Sequence, residues 1–353
     1  MRRVAKDQLL DFAVRYLARK GVTGPRAAYL AEVAVTTEAW GIHTHGLRFV
    51  PSWERNIGKD IDPAAEPELA AQKGATALVE GHSSFGPLAL RLARETAVPL
   101  ARRFGVAAVA GRNMSWLGAL GPQVVPLSGE GLFAQCWAQD NGCQDCAPWG
   151  GLEPCFSTNP LALTFPTPGL PVVSDFSTAA LSMGSTRALI RRGEKAPANI
   201  YMDKHGNPTS DPTVVDQGGT FFHLGGEHYG YRGYALALCT EAFAALAGGN
   251  ANNPQEPNRQ SFHLLVVDPE AFGHADHYAR EVERYVARIK GVRLRPGFTE
   301  VRLPGERAQR AAQQAERHGV AIEDYLLDRL NAIAEKYGLP ALQAKGDSED
   351  QGT

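Results

Sequence analysis

The placement of breaks constrains this chain most: helical periodicity runs through both ends, while glycine and proline cut the middle into short apolar runs. Leu9, Phe12, Ala13, Tyr16 and Leu17 recur at i, i+3, i+4, i+7 and i+8, with Arg19 and Lys20 in the last turn and Gly21 behind them. That spacing predicts an amphipathic helix. Thr23-Gly24-Pro25 opens a second helix reaching about Glu38, since proline loses nothing in a first turn. Near the far end, Ile322, Leu326, Leu330, Ile333 and Tyr337 form another stripe, closed by Gly338 and Pro340. Between these ends, Val106 to Ala110, Gly131 to Trp137, Leu161 to Phe165 and Phe262 to Val267 read as strands. Tyr234 to Leu246 is apolar and alanine-rich, which predicts a buried helix on a sheet, and Tyr278 to Ile289 predicts an amphipathic one. Gly248 to Gln260 reads as a loop and the final GDSEDQGT as disordered; no internal repeat is visible. The expected organisation is a helical unit from residues 1–70 with 300–353, and an α/β unit over 71–299.

With 353 residues, 44% of them hydrophobic, the chain can bury a large core without disulfides. Lys+Arg 36 against Asp+Glu 38 leaves none of the basic surplus that binding to nucleic acid usually requires. Asp7 and Asp11 interrupt the stretch where a signal peptide would be apolar, and no run approaches the roughly 18 residues that cross a bilayer. Together with an odd count of five cysteines, these features lead to the expectation of a cytoplasmic protein with neither nucleic-acid nor membrane partners.

The segment GIHTHGLRFVP holds the most concentrated chemistry, with Thr44, His45 and Arg48 inside five residues. If this stretch is helical, His45 and Arg48 share a face, so one substrate meets both a proton carrier and a carboxylate-binding fork. A capping or surface role stays open, whereas a His43/His45 metal pair lacks nearby carboxylate ligands. Cys143, Cys146 and Cys155 lack a fourth zinc ligand nearby in sequence, so they read as thiols and no metal is expected. Arg191-Arg192-Gly193-Glu194-Lys195 reads as a solvated surface or as a seat for a 2′-phosphate. Trp137 and Trp149 read as core or interface residues.

GIHTHGLR resembles the Gly-x-x-Ser-His-Gly-x-x-Arg segment of the type-2 malate/L-lactate dehydrogenases. That family includes sulfolactate, ureidoglycolate and diketogulonate oxidoreductases and cyclic ketimine reductases. APWGGLEPCFSTNPLAL, SDFSTAA, GGTFFHLGGEHYGYRGYALAL and VRLPGE are similar to four further family segments in the same order, so the likeness spans about residues 30 to 306. The resemblance implies an α+β or α/β fold whose central mixed-sheet domain binds NAD(P)H without a Rossmann motif, in a homodimer with active sites completed across the interface. No G-x-G-x-x-G follows a strand here, in agreement. It further implies that Thr158, Asn159, Asp175, Ser177, Thr178, Arg232, Pro304, Gly305 and Glu306 fall on cofactor-contacting segments. Taken alone, Asp175 to Thr178 reads equally well as a helix N-cap.

The chain also departs from its relatives. Trp116, two residues before Gly118, stands where many carry a histidine, so both residues are assigned to the substrate pocket and proton transfer falls to His45 alone. Thr44 keeps the hydroxyl of the usual serine, Arg232 keeps the charge of the usual lysine, and Ala179 drops a hydroxyl. The expected reaction is hydride transfer between nicotinamide and the α-carbon of a small 2-oxo or 2-hydroxy acid, with Arg48 on its carboxylate. Trp116 leaves two alternatives: reduction of a C=N bond in a cyclic imine, and a dinucleotide-binding protein without catalysis.

Overall fold

This computed structural model describes residues 1–255 and 259–345, so the expected disordered end and part of the loop after Gly248 lie outside the described residues. The chain opens with β1 (Arg2–Val4), α1 (Lys6–Arg19), α2 (Gly24–Ala39) and α3 (Phe49–Asn56). A hairpin of β2 (Glu68–Lys73) and β3 (Thr76–Glu80) leads into α4 (Gly86–Phe104), β4 (Val106–Met114), α5 (Gly121–Gly129) and β5 (Phe133–Asp140). Next come β6 (Pro160–Phe165), β7 (Val172–Ser177) and α6 (Met183–Arg192), followed by the two-residue strands β8 (Tyr201–Met202), β9 (Pro208–Thr209) and β10 (Thr220–Phe221). α7 (Gly226–Tyr229), α8 (Tyr231–Leu246), β11 (Gln260–Val267), α9 (Ala275–Lys290), α10 (Glu306–His318), β12 (Val320–Ile322) and α11 (Asp324–Lys336) follow.

The apolar stripes at the two ends meet each other. β1 pairs antiparallel with β12, Val4 opposite Val320, and Leu9, Phe12, Tyr16 and Leu17 share one core with Leu326, Leu327, Leu330 and Ile333. Each such side chain contributes about 1.5–3 kcal/mol when fully removed from water. Glu54 of α3 ties the same elements from the polar side: Tyr16 and Tyr337 donate to it at 3.0 and 2.9 Å, and Lys20 and Lys336 approach to 3.1 and 2.5 Å.

The central sheet is mixed, with seven strands in the order β2-β3-β4-β11-β5-β6-β7. Only β3 and β4, joined through α4, are parallel; the other neighbours are antiparallel. All four strands expected from the sequence are present and run slightly longer. β7 and the β2–β3 hairpin went unread, because β2 is exposed along its whole length and so shows no alternation of buried and open positions. α4 and α5 cover one face over a core of Leu90, Ala97, Val109, Leu120, Val124 and Leu264.

α8 corrects the expectation of a fully buried helix. It packs Ala237, Thr240, Glu241 and Ala244 inward, while Leu238 and Leu246 are 45% and 71% exposed. Alanine-rich composition suits close packing on a sheet, but it does not report whether a second layer lies beyond.

Glu54 supplies a pH-dependent contribution to stability. Burial pushes its carboxyl up, but hydrogen bonds from Lys336, Tyr337, Lys20 and Tyr16 outweigh that push and hold it at about 2, below the ordinary 4.5. A depressed folded-state value gives stability that is present above 4.5 and lost as the pH falls through 2, up to about 3 kcal/mol. The gap in urea midpoint between the parent protein and Glu54→Gln is therefore expected to be widest near neutral pH and to narrow steadily towards pH 2.

Candidate active site

The residues between α2 and α3 form consecutive turns, not the helix that sequence spacing allowed: His45 N–H donates to Ile42 O at 3.0 Å and Phe49 N–H to Gly46 O at 2.9 Å. A buried carboxylate dictates this path. Glu38, in the last turn of α2, accepts the Leu47 N–H at 2.8 Å on one oxygen and meets His43 Nδ1 at 2.6 Å on the other. The returning chain lies so close that a Cβ on Gly46 would fall 2.7 Å from the Glu38 nitrogen. Only glycine fits there. The bond to Glu38 raises the His43 pKa against the opposing effect of burial.

The turn presents the three expected residues together. Thr44 Oγ1 lies 2.7 Å from His45 Nδ1, which fixes the ring and leaves Nε2 as the nitrogen able to face a substrate. Burial, followed by repulsion from Arg48, lowers the His45 pKa to about 4, so the imidazole is neutral at pH 7. Arg48 Nη1 is buried and has no hydrogen-bond partner.

Trp116 closes one side, its ring 5.2 Å from that of His45 and 4.5 Å from that of Phe49. Gly118, at φ +78°, makes room for the Phe49 ring, which a Cβ would strike. Buried amides hold this loop: Gln260 accepts the Leu117 N–H at 2.7 Å, and Gln123 donates to the carbonyls of Leu117 and Ala119 at 2.8 and 2.7 Å. α6 closes another side, since a Cβ on Gly184 would lie 2.8 Å from Thr44 Cβ.

The positions assigned to cofactor contact divide into inward and open groups. Asn159 is fully buried, donating to Glu241 at 2.8 Å and accepting from Ser157 at 2.6 Å. Glu306 accepts from Leu303 N–H and Lys290 and pairs with Arg310. Both side chains hold structure. Ser177 and Thr178 donate to Thr158 O at 2.8 and 3.1 Å, locking two adjacent segments together. Asp175 does cap a helix, though not one that follows it in sequence: it accepts the Gly121 N–H at 2.7 Å, at the start of α5 and four residues past Leu117.

Pro304 O accepts the Val173 N–H at 3.1 Å, and a Cβ on Gly305 would lie 2.8 Å from Val173 O, which draws the start of α10 against β7. Arg307 there approaches Gly41. Residues 41–48, 116–121, 173–184 and 304–307 therefore converge. Arg232 stands farther out, exposed, with its guanidinium 5.0 Å from the Tyr229 ring and 5.6 Å from that of Tyr231. Arg232 and Arg307 are open cations and Thr158 is half-buried, side chains of the kind that suit the phosphates and hydroxyls of a nucleotide.

Cys146 is buried, and burial pushes its thiol up, away from the reactive thiolate form. Among the described residues, no group of three or more His, Cys, Asp or Glu is placed to hold a metal ion, and no helix is long and apolar enough to cross a membrane. In the basic loop, Arg192 pairs with Glu194 at 2.8 Å, and Arg191 lies 4.3 Å over the Tyr325 ring. Sequence reasoning missed Glu38, Gly46, Gly184 and Tyr325. Of these only Glu38 gave a signal, as a carboxylate in the last turn of a largely apolar helix, six residues after the exposed Glu32.

The model of the malate/L-lactate dehydrogenase family matches residues 4–331. The Delta(1)-pyrroline-2-carboxylate/Delta(1)-piperideine-2-carboxylate reductase of Pseudomonas syringae pv. tomato is 31% identical over 342 residues, covering 94% of this chain and 96% of that protein. The solved malate dehydrogenase of Pyrococcus horikoshii superposes with a TM-score of 0.86 at 26% identity, covering 96% of this chain and 97% of its own. Sulfolactate dehydrogenase from Methanocaldococcus jannaschii gives 0.85, also at 26%, covering 96% and 98%.

Two measurements check this geometry. Glu38→Ala leaves the buried Leu47 N–H without an acceptor and is expected to cost about 1–3 kcal/mol in unfolding free energy, whereas Glu38→Gln, which keeps an oxygen there, costs less. By NMR, His45 is expected to titrate near pH 4; a midpoint near 6.5 contradicts the burial and the repulsion from Arg48 described here.

Proposed function

Because the chain belongs to the malate/L-lactate dehydrogenase family, we propose that it is a nicotinamide-dependent oxidoreductase acting on a small 2-oxo or 2-hydroxy acid. The observation that carries this reading is the juxtaposition of His45, oriented by Thr44, with a buried Arg48 nitrogen that lacks a partner. A bound nicotinamide would supply or accept the hydride at the substrate's α-carbon. Arg48 grips the carboxylate, for which its planar fork is suited, and so fixes the α-carbon relative to the imidazole. His45 then moves the proton. In the oxidative direction the neutral ring is already the form that accepts a proton from a hydroxyl. In the reductive direction it must first gain one, and a carboxylate paired with Arg48 favours that by offsetting the positive charge that disfavours a second cation.

The aromatic wall favours a second reading, reduction of a C=N bond in a cyclic imino acid. Trp116, backed by the buried Phe49, presents flat apolar surface beside His45, which suits a ring better than an open-chain acid.

The cofactor segments proposed are those bearing Thr158, Asp175, Ser177, Thr178, Arg232 and Pro304 to Glu306, with Asn159 and Glu306 acting through the backbone they hold in place. The proposed division into residues 1–70 with 300–353 and 71–299 is supported by two main cores, although Phe85 and Leu88 at the start of α4 join the core of the chain ends. A homodimer is supported by the outer face of α8, where Ala235, Leu238, Cys239, Ala242 and Leu246 are exposed without a charge among them.

His45→Asn is expected to lower turnover about 10²- to 10⁴-fold while leaving cofactor affinity nearly unchanged. Assays with oxaloacetate, pyruvate and a cyclic imino acid, each in both directions, separate the two substrate readings, and undiminished activity in the variant rejects both. Sedimentation of Leu238→Glu, expected to shift towards monomer, checks the assembly.

A further inference from the structure

A second buried donor near Arg48 comes from the opposite end of the chain. Tyr325 lies in the first turn of α11, which packs against α3, the helix that begins immediately after Arg48. Its hydroxyl is buried and makes no hydrogen bond. Glu323 comes near that hydroxyl without reaching hydrogen-bond geometry. The pKa of Tyr325 is raised by burial, against the pull of two cations close enough to act on it, Arg48 and Arg191.

Arg191 fixes the ring, its guanidinium 4.3 Å above the aromatic face and its Nη2 3.9 Å from Glu323. Arg191 also sits at the far end of α6, whose first turn touches Thr44 through Gly184. One ten-residue helix thus joins the Thr44–His45 pair to Tyr325.

An unsatisfied buried donor destabilises the fold unless a ligand pairs with it. Two of them lie on residues 48 and 325, at the packed junction of α3 with α11 and close enough that the Arg48 charge acts on the Tyr325 hydroxyl, and neither atom has a hydrogen-bond partner. A group that accepts without donating, and offers several lone pairs, satisfies both at once; an ionised carboxylate is such a group. We infer that Tyr325 is a further substrate-binding residue, its hydroxyl donating to the same carboxylate that Arg48 holds. Arg191 acts behind it as a positioning residue, holding the tyrosine ring in the orientation that aims the hydroxyl.

This inference rests on the proposed function, in which His45 moves a proton at a substrate whose carboxylate Arg48 holds, and the test keeps the binding and catalytic parts apart. Oxalate, pyruvate and malate are titrated into the full-length parent protein, Tyr325→Phe and His45→Asn, with and without NADH, following intrinsic tryptophan fluorescence. Tyr325→Phe is expected to weaken oxalate binding about 10- to 100-fold, the loss of one hydrogen bond to a charged group. For a turned-over substrate, KM should rise by a similar factor while kcat falls far less. His45→Asn is expected to show the reverse, near-parental oxalate binding with collapsed turnover; its failure counts against the catalytic reading alone.

A Tyr325→Phe protein that binds oxalate as tightly as the parent overturns the inference, as does a parent that binds none of the three acids. The urea midpoint of Tyr325→Phe is expected to match or exceed that of the parent, since the substitution keeps the ring and removes only an unpaired hydroxyl. A marked fall in that midpoint would mean that the hydroxyl serves the fold and not the substrate, and would also overturn the assignment.

Discussion

A single carboxylate beneath the turn between α2 and α3 decides where the chemistry sits. Glu38 would be costly in an apolar helix if it stood alone, because buried charge is tolerated only when its lone pairs are satisfied. The chain satisfies them by folding back over the helix end, so that Leu47 N–H and His43 reach the two oxygens. That return makes Gly46 obligatory and turns Thr44, His45 and Arg48 outward from a rigid base. The placement of Thr44, His45 and Arg48 therefore follows from the need to neutralise an otherwise destabilising group.

Rigidity is supplied on the other sides by buried amides and packed backbone. Gln123 and Gln260 hold the Trp116 loop, while Asn159 and Glu241 pin the strand start beside Thr158. Ser177 and Thr178 staple Thr158 to the end of β7. These bonds are short, internal and made by neutral groups or fully partnered ones, so the surfaces that would meet ligands are held by contacts that ligands do not disturb. Arg48 and Tyr325 each leave a buried polar atom unpaired, as does Gln123 at its side-chain oxygen.

Much of this was legible from residues alone, for reasons that can be stated. Amphipathic stripes such as Leu9 to Leu17 and Ile322 to Tyr337 report burial directly, and the structure joins them in one core. Thr44, His45 and Arg48 are close in sequence, so almost any compact backbone path brings them together. Tyr325 was invisible because its meaning arises from a partner some 280 positions away. β7 was missed although Asp175 was singled out, because a strand at the sheet edge carries a mixed pattern. The exposed side of α8 could not be anticipated, since an apolar surface reads the same whether it faces this chain or something beyond it.

The pairing of β1 with β12 also affects the timing of synthesis. Val4 and Leu9 are made long before the strand and helix that cover them, from Val320 to Ile333. At translation speeds of about 5–20 residues per second, the delay is on the order of tens of seconds. During that interval α1 and α2 exist with their apolar faces uncovered, while the seven-stranded sheet, complete once β11 has emerged, has all its strands available. The order of assembly is thus set from the middle outward, and the segment from Val4 to Leu17 finds its place only after the sheet is available. While it waits, the uncovered faces of α1 and α2 are the part of a nascent chain that a chaperone would shield.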